Sequence, residues 1–223
     1  MKTKLIVMLT HNDKTASNSL ALFEDTKDLP VDLWGFKEVG LPVPQMKALL
    51  HAMKTAGKTT FLEVLSQTEE DCMKHAKFAV ELGFDYITGT IFHESVWAYL
   101  KQNNIKYFPF VGKHFDDGSM DGDIDEMIAE GKRFAEKGVQ GISLCPFRYK
   151  GEQTTLGDEF LQATAIPVIV AGSINNRERM AYVDSIGTWA FTVGSALFNG
   201  TFVKDGSFRE NLIALIDLMD SIN

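Results

Sequence analysis

The stretch IPVIVAGSINNRERM, residues 166–180, decides the fold together with WAFTVGSALFNG, residues 189–200. Each is a short apolar run that breaks at a Gly-Ser step, Gly172-Ser173 in the first and Gly194-Ser195 in the second. A short apolar run closed by turn-forming residues reads as a strand buried on both faces. Between the two runs, NRERMAYVDSIG (176–187) carries helical spacing. Strand, helix, strand at this spacing implies two parallel strands joined by a crossover helix.

Working outward, the same beat fills the chain. Strand-like runs recur at 4–10, 32–37, 59–65, 85–92, 106–112 and 139–145, before the pair at 167–172 and 189–195. Helical spacing follows each, at 14–28, 43–58, 68–83, 95–104, 123–138, within 154–165, at 176–187 and at 207–222. Thr68 is a capping residue followed by acids in the first turn, and Gly83 falls just past that helix's end. Ser207, with Glu210 three residues on, makes a capping box for the last helix. The methionines Met46, Met53 and Met73 fall on helices, where flexible thioethers suit packing against a sheet.

Eight β-α units favour an α/β fold of the (β/α)8 barrel type, with eight parallel strands inside a ring of outer helices. An open, doubly wound sheet of eight strands is the alternative. The chain has 223 residues, within the size of one such barrel, for which about 250 is typical. No linker or low-complexity segment divides it, so residues 1–223 read as one domain. Apolar residues make up 45%, enough for a sizeable core rather than a disordered chain.

Net charge is −8, which argues against nucleic acid or an anionic membrane surface as partner. No run approaches the ~20 apolar residues of a membrane span, and the apolar run after the first basic residues is too short for a signal peptide. Two cysteines, Cys72 and Cys145, form no disulfide framework, as expected for a cytoplasmic protein.

The two Gly-Ser steps then take on chemical meaning. They end strands 7 and 8, where barrels that bind phosphorylated ligands commonly hold the phosphate. Glycine lets an anion approach the backbone, amides at a helix start point towards it, and the hydroxyls of Ser173 and Ser195 add donors. SALF (195–198) is placed to form the short helix of such a site. The structural alternative is that both steps are tight strand-to-helix turns.

On these residues, IPVIVAGSINNRERM and WAFTVGSALFNGTF, the chain resembles the ribulose-phosphate-binding barrels. That superfamily holds isomerases of the histidine and tryptophan pathways, indoleglycerol-phosphate synthase and the hexose-phosphate epimerases. The motif covers about the last quarter of the chain, and the β-α rhythm covers all of it. The resemblance implies a phosphate held by Gly172, Ser173, Gly194 and Ser195. It leaves the reaction open, because the members' catalytic patterns are not matched. Thr10, and not an aspartate, ends strand 1, a lysine follows strand 5, and the synthase's Glu-x-Lys on strand 1 is absent.

Charges interrupt strands that should be apolar. Lys37 ends strand 2, Lys113 ends strand 5, and Glu63 lies within strand 3 on the face of Phe61 and Leu65. A buried carboxylate is costly without a partner, and the lysines are the partners on offer. Charge at the C-terminal ends of barrel strands reads as functional. Glu63 would move a proton, tuned by burial and a lysine, while Lys37 or Lys113 stabilises an enolate oxygen. That chemistry is an isomerase or epimerase acting on a small phosphorylated sugar or similar metabolite, with no cofactor. A desolvated lysine would instead form a Schiff base, as in an aldolase or lyase. A third reading is a non-catalytic barrel that binds a phosphorylated metabolite, its Lys–Glu pair purely structural.

Other residues fall on the same rim. His11, with Asp13 beside it, follows strand 1 and reads as a substrate contact or proton shuttle, or as a polar loop. Thr90 ends strand 4 and offers a hydroxyl to substrate, and Arg148, after strand 6, offers a fork for phosphate or carboxylate. Cys145 ends strand 6 without a marked activating partner. His11, His93 and His114 match no metal motif, so no metal site is expected. No G-x-G-x-x-G follows a strand, so no dinucleotide site is expected either. The expected partner is a small phosphorylated substrate. Barrels of this size often form homodimers, though no residue here marks an interface.

Overall fold

The computed structural model describes residues 3–115 and 117–222. Eight parallel strands form its centre: β1 (Lys4–Met8), β2 (Leu33–Lys37), β3 (Thr59–Glu63), β4 (Tyr86–Thr88), β5 (Lys106–Phe108), β6 (Ile142–Leu144), β7 (Val168–Val170) and β8 (Ala190–Val193). Their order in the sheet is β6-β7-β8-β1-β2-β3-β4-β5. The two ends meet: Phe110 bridges Ser143, the Ser143 amide donates to the Pro109 carbonyl at 2.9 Å, and the Gln140 amide donates to the Tyr107 carbonyl at 3.2 Å. The sheet is thereby a nearly closed (β/α)8 barrel.

Nine helices are described. Around the barrel run α1 (Ser19–Thr26), α2 (Val43–Thr55), α3 (Glu69–Leu82), α4 (Glu94–Gln102), α5 (Ile124–Lys137), α6 (Gln153–Ala163) and α7 (Arg177–Ser185), then the short α8 (Ser195–Phe198) and α9 (Phe208–Asp220). Their ends follow local chemistry. Thr68 accepts a hydrogen bond from the Asp71 amide at 3.2 Å, and Gly83 takes the left-handed conformation that ends α3. Ser207 and Glu210 form the reciprocal capping box of α9.

The core has two layers. One lies between strands and helices, and the other fills the barrel with Ile6, Met8, Leu33, Phe61, Tyr86, Phe108, Ile169 and Ala190. Inside the barrel, Phe61 stacks on Tyr86 at 4.3 Å and Phe108 on Trp189 at 5.3 Å. Lys4 and Lys106 lie over Trp189 and Tyr86 at this end, so aromatic rings plug the N-terminal mouth. Gly35 leaves room for the plug, since a Cβ there would stand 2.7 Å from Met8 Sδ and 2.9 Å from Phe61 Cβ. With one mouth filled, the C-terminal mouth is left as the open one.

The first helix is shorter than the spacing over 14–28 suggests. Lys14–Thr15 instead pairs antiparallel with Thr10–His11, and α1 starts at Ser19. Asn12 and Asp13 form the two-residue turn, both with left-handed φ, 48° and 59°. Two successive left-handed residues make the turn that matches a hairpin's twist, and Asn and Asp tolerate it better than other non-glycine residues. A second ribbon pairs Lys113–His114 with Met120–Asp121 beyond β5.

Candidate active site

A cavity of about 420 Å3 opens at the C-terminal mouth, within the range of small-ligand sites. It is walled by the ends of the strands and by both ribbons.

Lys37 reaches into it from the last position of β2, and its side chain is only 5% exposed. An isolated ammonium at such a depth would shed its proton. Two carboxylates prevent that: Asp13 Oδ1 stands 2.7 Å from Lys37 Nζ and Glu63 Oε2 stands 3.7 Å away. Burial works to lower the Lys37 pKa, but the Glu63 charge and the Asp13 hydrogen bond outweigh it and hold the ammonium above its ordinary value. The same contact acts in reverse on Asp13. Burial pushes its carboxyl up, but the Lys37 hydrogen bond and charge, with Arg148 behind them, hold it below the usual range. Glu63 is fixed by register, because Lys37 and Glu63 are paired positions of adjacent strands.

The hairpin is what delivers Asp13. Thr15 Oγ1 donates to the Lys37 carbonyl at 2.7 Å and accepts from the Lys37 amide at 2.9 Å, which clamps the ribbon to β2. The two-residue turn then aims Asp13 at Lys37 and presents the Asn12 amide to Ser195 Oγ at 3.1 Å. Thr10, at the ribbon's base, lines the cavity, and its hydroxyl is buried without a hydrogen-bond partner. A buried hydroxyl of this kind is an opening for a ligand atom.

The two Gly-Ser steps lie side by side on this wall. Gly172 (φ 82°) and Ser173 (φ 59°) are both left-handed and turn the chain sharply after β7. Gly194 precedes α8, and Ser195 is its first residue. All four line the cavity. The first amides of α8 face outward by position, as at any helix start. Arg148 lies directly over Gly172, where a Cβ would meet its Nε at 2.6 Å. Its Nη2 stands 3.8 Å from Asp13 Oδ1, so it spans the cradle and the charged cluster. Gly194 has a second reason to be glycine: a Cβ there would stand 2.8 Å from the Thr10 carbonyl.

Several expected residues lie elsewhere. Lys113 is exposed and is not among the residues lining the cavity, whereas its neighbour His114 is. Alternation along the ribbon sends one inward and the other out. Thr90 is buried and its hydroxyl is bound to Tyr107, while Gly89 and Ile91 face the cavity. Thr88 is in register with Glu63, and alternation would send Thr90 the same way, but Gly89 takes φ 93° and the chain bulges there while still pairing with the β5 segment, the Phe110 amide donating to the Thr90 carbonyl. His11 stacks on Phe198 at 5.1 Å and its Nε2 bonds Asn199 Oδ1 at 2.9 Å, so it braces α8 rather than touching the cavity. Cys145 lines the cavity, but burial pushes its thiol up to about 12, far from the thiolate a nucleophile needs. Among the described residues, no three His, Cys, Asp or Glu side chains come together in a way that could hold a metal ion.

No protein-family model and no curated protein matches the sequence. Solved structures do match. Orotidine 5'-phosphate decarboxylase from Pyrococcus horikoshii OT3 superposes with a TM-score of 0.69 at 11% identity, over 97% of this chain and 99% of its own. The likeness is one of fold. 3-Hexulose-6-phosphate synthase from Salmonella typhimurium gives 0.68 at 15% identity, over 99% and 100% of the two chains. A glycerol uptake operon antiterminator regulatory protein from Listeria monocytogenes str. 4b F2365 gives 0.60 at 21% identity, over 87% and 93%. The chain therefore shares the (β/α)8 barrel fold of these structures. Among the described residues, no helix is long and apolar enough to cross a membrane.

Proposed function

We propose that this protein is an isomerase or epimerase that moves a proton next to a carbonyl of a small phosphorylated metabolite. One observation carries the reading: Lys37, buried at the cavity wall, is kept charged between Asp13 and Glu63. A fixed cation of this kind is suited to an oxygen on which negative charge develops. In the proposed reaction the Glu63 carboxylate takes the proton from the carbon beside the carbonyl. The C–H electron pair becomes the enolate, whose oxygen is held by Lys37. Transfer of the hydroxyl proton of the deprotonated carbon to the enolate oxygen, with return of the Glu63 proton to the former carbonyl carbon, gives isomerisation, and protonation of the same carbon on its opposite face by a solvent water gives epimerisation. Gly172, Ser173, Gly194, Ser195 and Arg148 would hold the phosphate, and Thr10 would bind a substrate oxygen. Asp13 is a positioning residue, holding Lys37 at 2.7 Å. The work of two solved structures on this fold, named for a 5'-phosphate and a 6-phosphate compound, is in keeping with a phosphorylated substrate. Cys72 and Cys145, both free and buried, suit a reducing compartment such as the cytoplasm.

The Schiff-base alternative needs a neutral amine at rest, whereas Lys37 is held above its ordinary pKa. The experiment is a panel of sugar phosphates and inorganic phosphate beside their dephosphorylated counterparts, read by melting temperature and then by deuterium uptake from solvent. Phosphorylated compounds alone should stabilise the fold, by about 2.7 kcal/mol at 100 times the dissociation constant. Ser173→Asp with Ser195→Asp should abolish the shift, and Glu63→Gln should stop deuterium uptake while leaving binding. Uptake that survives Glu63→Gln would sink the acid-base assignment. A borohydride-trapped adduct on Lys37 would move the protein to the lyases, and binding without any exchange or turnover would make it a non-catalytic barrel.

A further inference from the structure

The cavity has two unlike walls. The order of strands places β7 and β8, with their Gly-Ser steps, diametrically across the barrel from β3 and β4. On that far side Leu65, Ile91, Phe110, His114 and Phe115 face the cavity. Six large apolar side chains are exposed among the described residues, and two of them, Leu65 at 39% and Phe115 at 40%, stand at this one mouth. The His114 ring lies flat against Phe110, 3.8 Å between centroids and 21° between planes. Its Nε2–H is taken by the Val111 carbonyl at 3.2 Å. Lys150 covers one face of Phe115 at 3.8 Å. Of the polar residues on this side, Ser66 has its hydroxyl bound to His75 Nδ1 at 3.2 Å.

Glu63, Ser66 and Gln67 line this side as well, but a sugar hydroxyl placed over the Leu65 and Phe115 side chains would lose water against apolar surface, which is unfavourable. A flat, uncharged ring would instead cover Leu65 and Phe115 and stack where His114 and Phe110 already stack. We propose that the natural substrate is a phosphate ester whose far end is an aryl or heteroaryl group, seated on the Leu65–Phe115 side while its phosphate lies in the Gly-Ser cradle. The proposal rests on the phosphate reading above and narrows its substrate class.

Calorimetric titration with inorganic phosphate, glycerol phosphate, phenyl phosphate and benzyl phosphate tests it. The aryl esters should bind at least tenfold more tightly than glycerol phosphate. Leu65→Ala with Phe115→Ala should remove most of that gain and leave the affinity for inorganic phosphate within about twofold. Both side chains are substantially exposed, so the double variant should fold, and an unchanged melting temperature checks this. Glycerol phosphate binding as tightly as the aryl esters would overturn the proposal, as would a gain that survives the double variant, and in both cases the cradle would stand. If neither inorganic phosphate nor any ester binds, the cradle reading falls and takes this proposal with it.

Discussion

His114 should make this protein sensitive to mild acid in a way that one substitution removes. Burial holds the His114 imidazole down from 6.5 to about 4, helped by the Arg148 charge and opposed by the bond to the Val111 carbonyl. Between these values the unfolded chain takes a proton that the folded protein refuses. Stability must therefore fall as pH drops from about 6.5 to about 4, because the unfolded state binds more protons there. The separation is about 2.5 pH units, and at about 1.4 kcal/mol each this amounts to about 3 kcal/mol. For a chain of this length that is a fall of roughly 6 to 12 °C in melting temperature. His114→Phe keeps a ring on Phe110 but has nothing to titrate. Urea midpoints of both proteins from pH 4 to 7.5 give the test, because carboxylates common to both cancel in the difference. The variant should lose about 3 kcal/mol less than the parent across this range, whatever its stability at neutral pH. A difference that stays flat with pH would refute the reasoning, as would a histidine NMR titration placing His114 near 6.5.

Other outcomes follow from the same geometry. Lys37→Met should lower kcat by about 100- to 1000-fold and destabilise the fold by up to about 3 kcal/mol through unpaired Asp13 and Glu63, measured by steady-state kinetics and denaturation. Asp13→Asn removes one of the two carboxylates that hold Lys37 protonated, so the basic limb of the pH–rate profile should move to lower pH. Gly35→Ala would push a Cβ to within 2.9 Å of Phe61 Cβ and its carbonyl inside the barrel, costing about 1–3 kcal/mol in a denaturant titration. Ser207→Ala, which breaks the capping box of α9, should cost about 1 kcal/mol and leave any ligand affinity unchanged.

The barrel was legible because strands buried on both faces leave uninterrupted apolar runs, and β1, β2, β7 and β8 are of that kind. Lys37 and Glu63 stood out for the same reason, as charges inside such runs, and register then brought them together. Asp13 was harder to place. It could be noticed only as a loop acid beside His11, because its role depends on a turn of two successive left-handed residues. The signal was present in THNDKT, where Asn-Asp separates two residue pairs able to form a ribbon. Lys113 and Thr90 read as the ends of strands 5 and 4, but both lie beyond the regular strand. At β5 the strand stops at Phe108 and a new ribbon starts at Lys113, and at β4 the positive φ of Gly89 bulges the chain. Arg148 was visible as a loop cation, but its seat over Gly172 depends on tertiary packing alone.

The hairpin at Thr10–Thr15 is a short piece of the barrel's rim, yet it is anchored at four places: Thr15 on β2, Asp13 on Lys37, Asn12 on Ser195 and His11 on Asn199. A ribbon with period two cannot gain or lose one residue without exchanging its faces. Drift in the sequence can therefore change residues of the hairpin whose side chains anchor nothing, but not the number of residues between Thr10 and Thr15. Relatives recovered from genomes should show insertions in the neighbouring rim loops and a constant length here. A designer wishing to graft a new lid onto this scaffold should leave these six positions uncut.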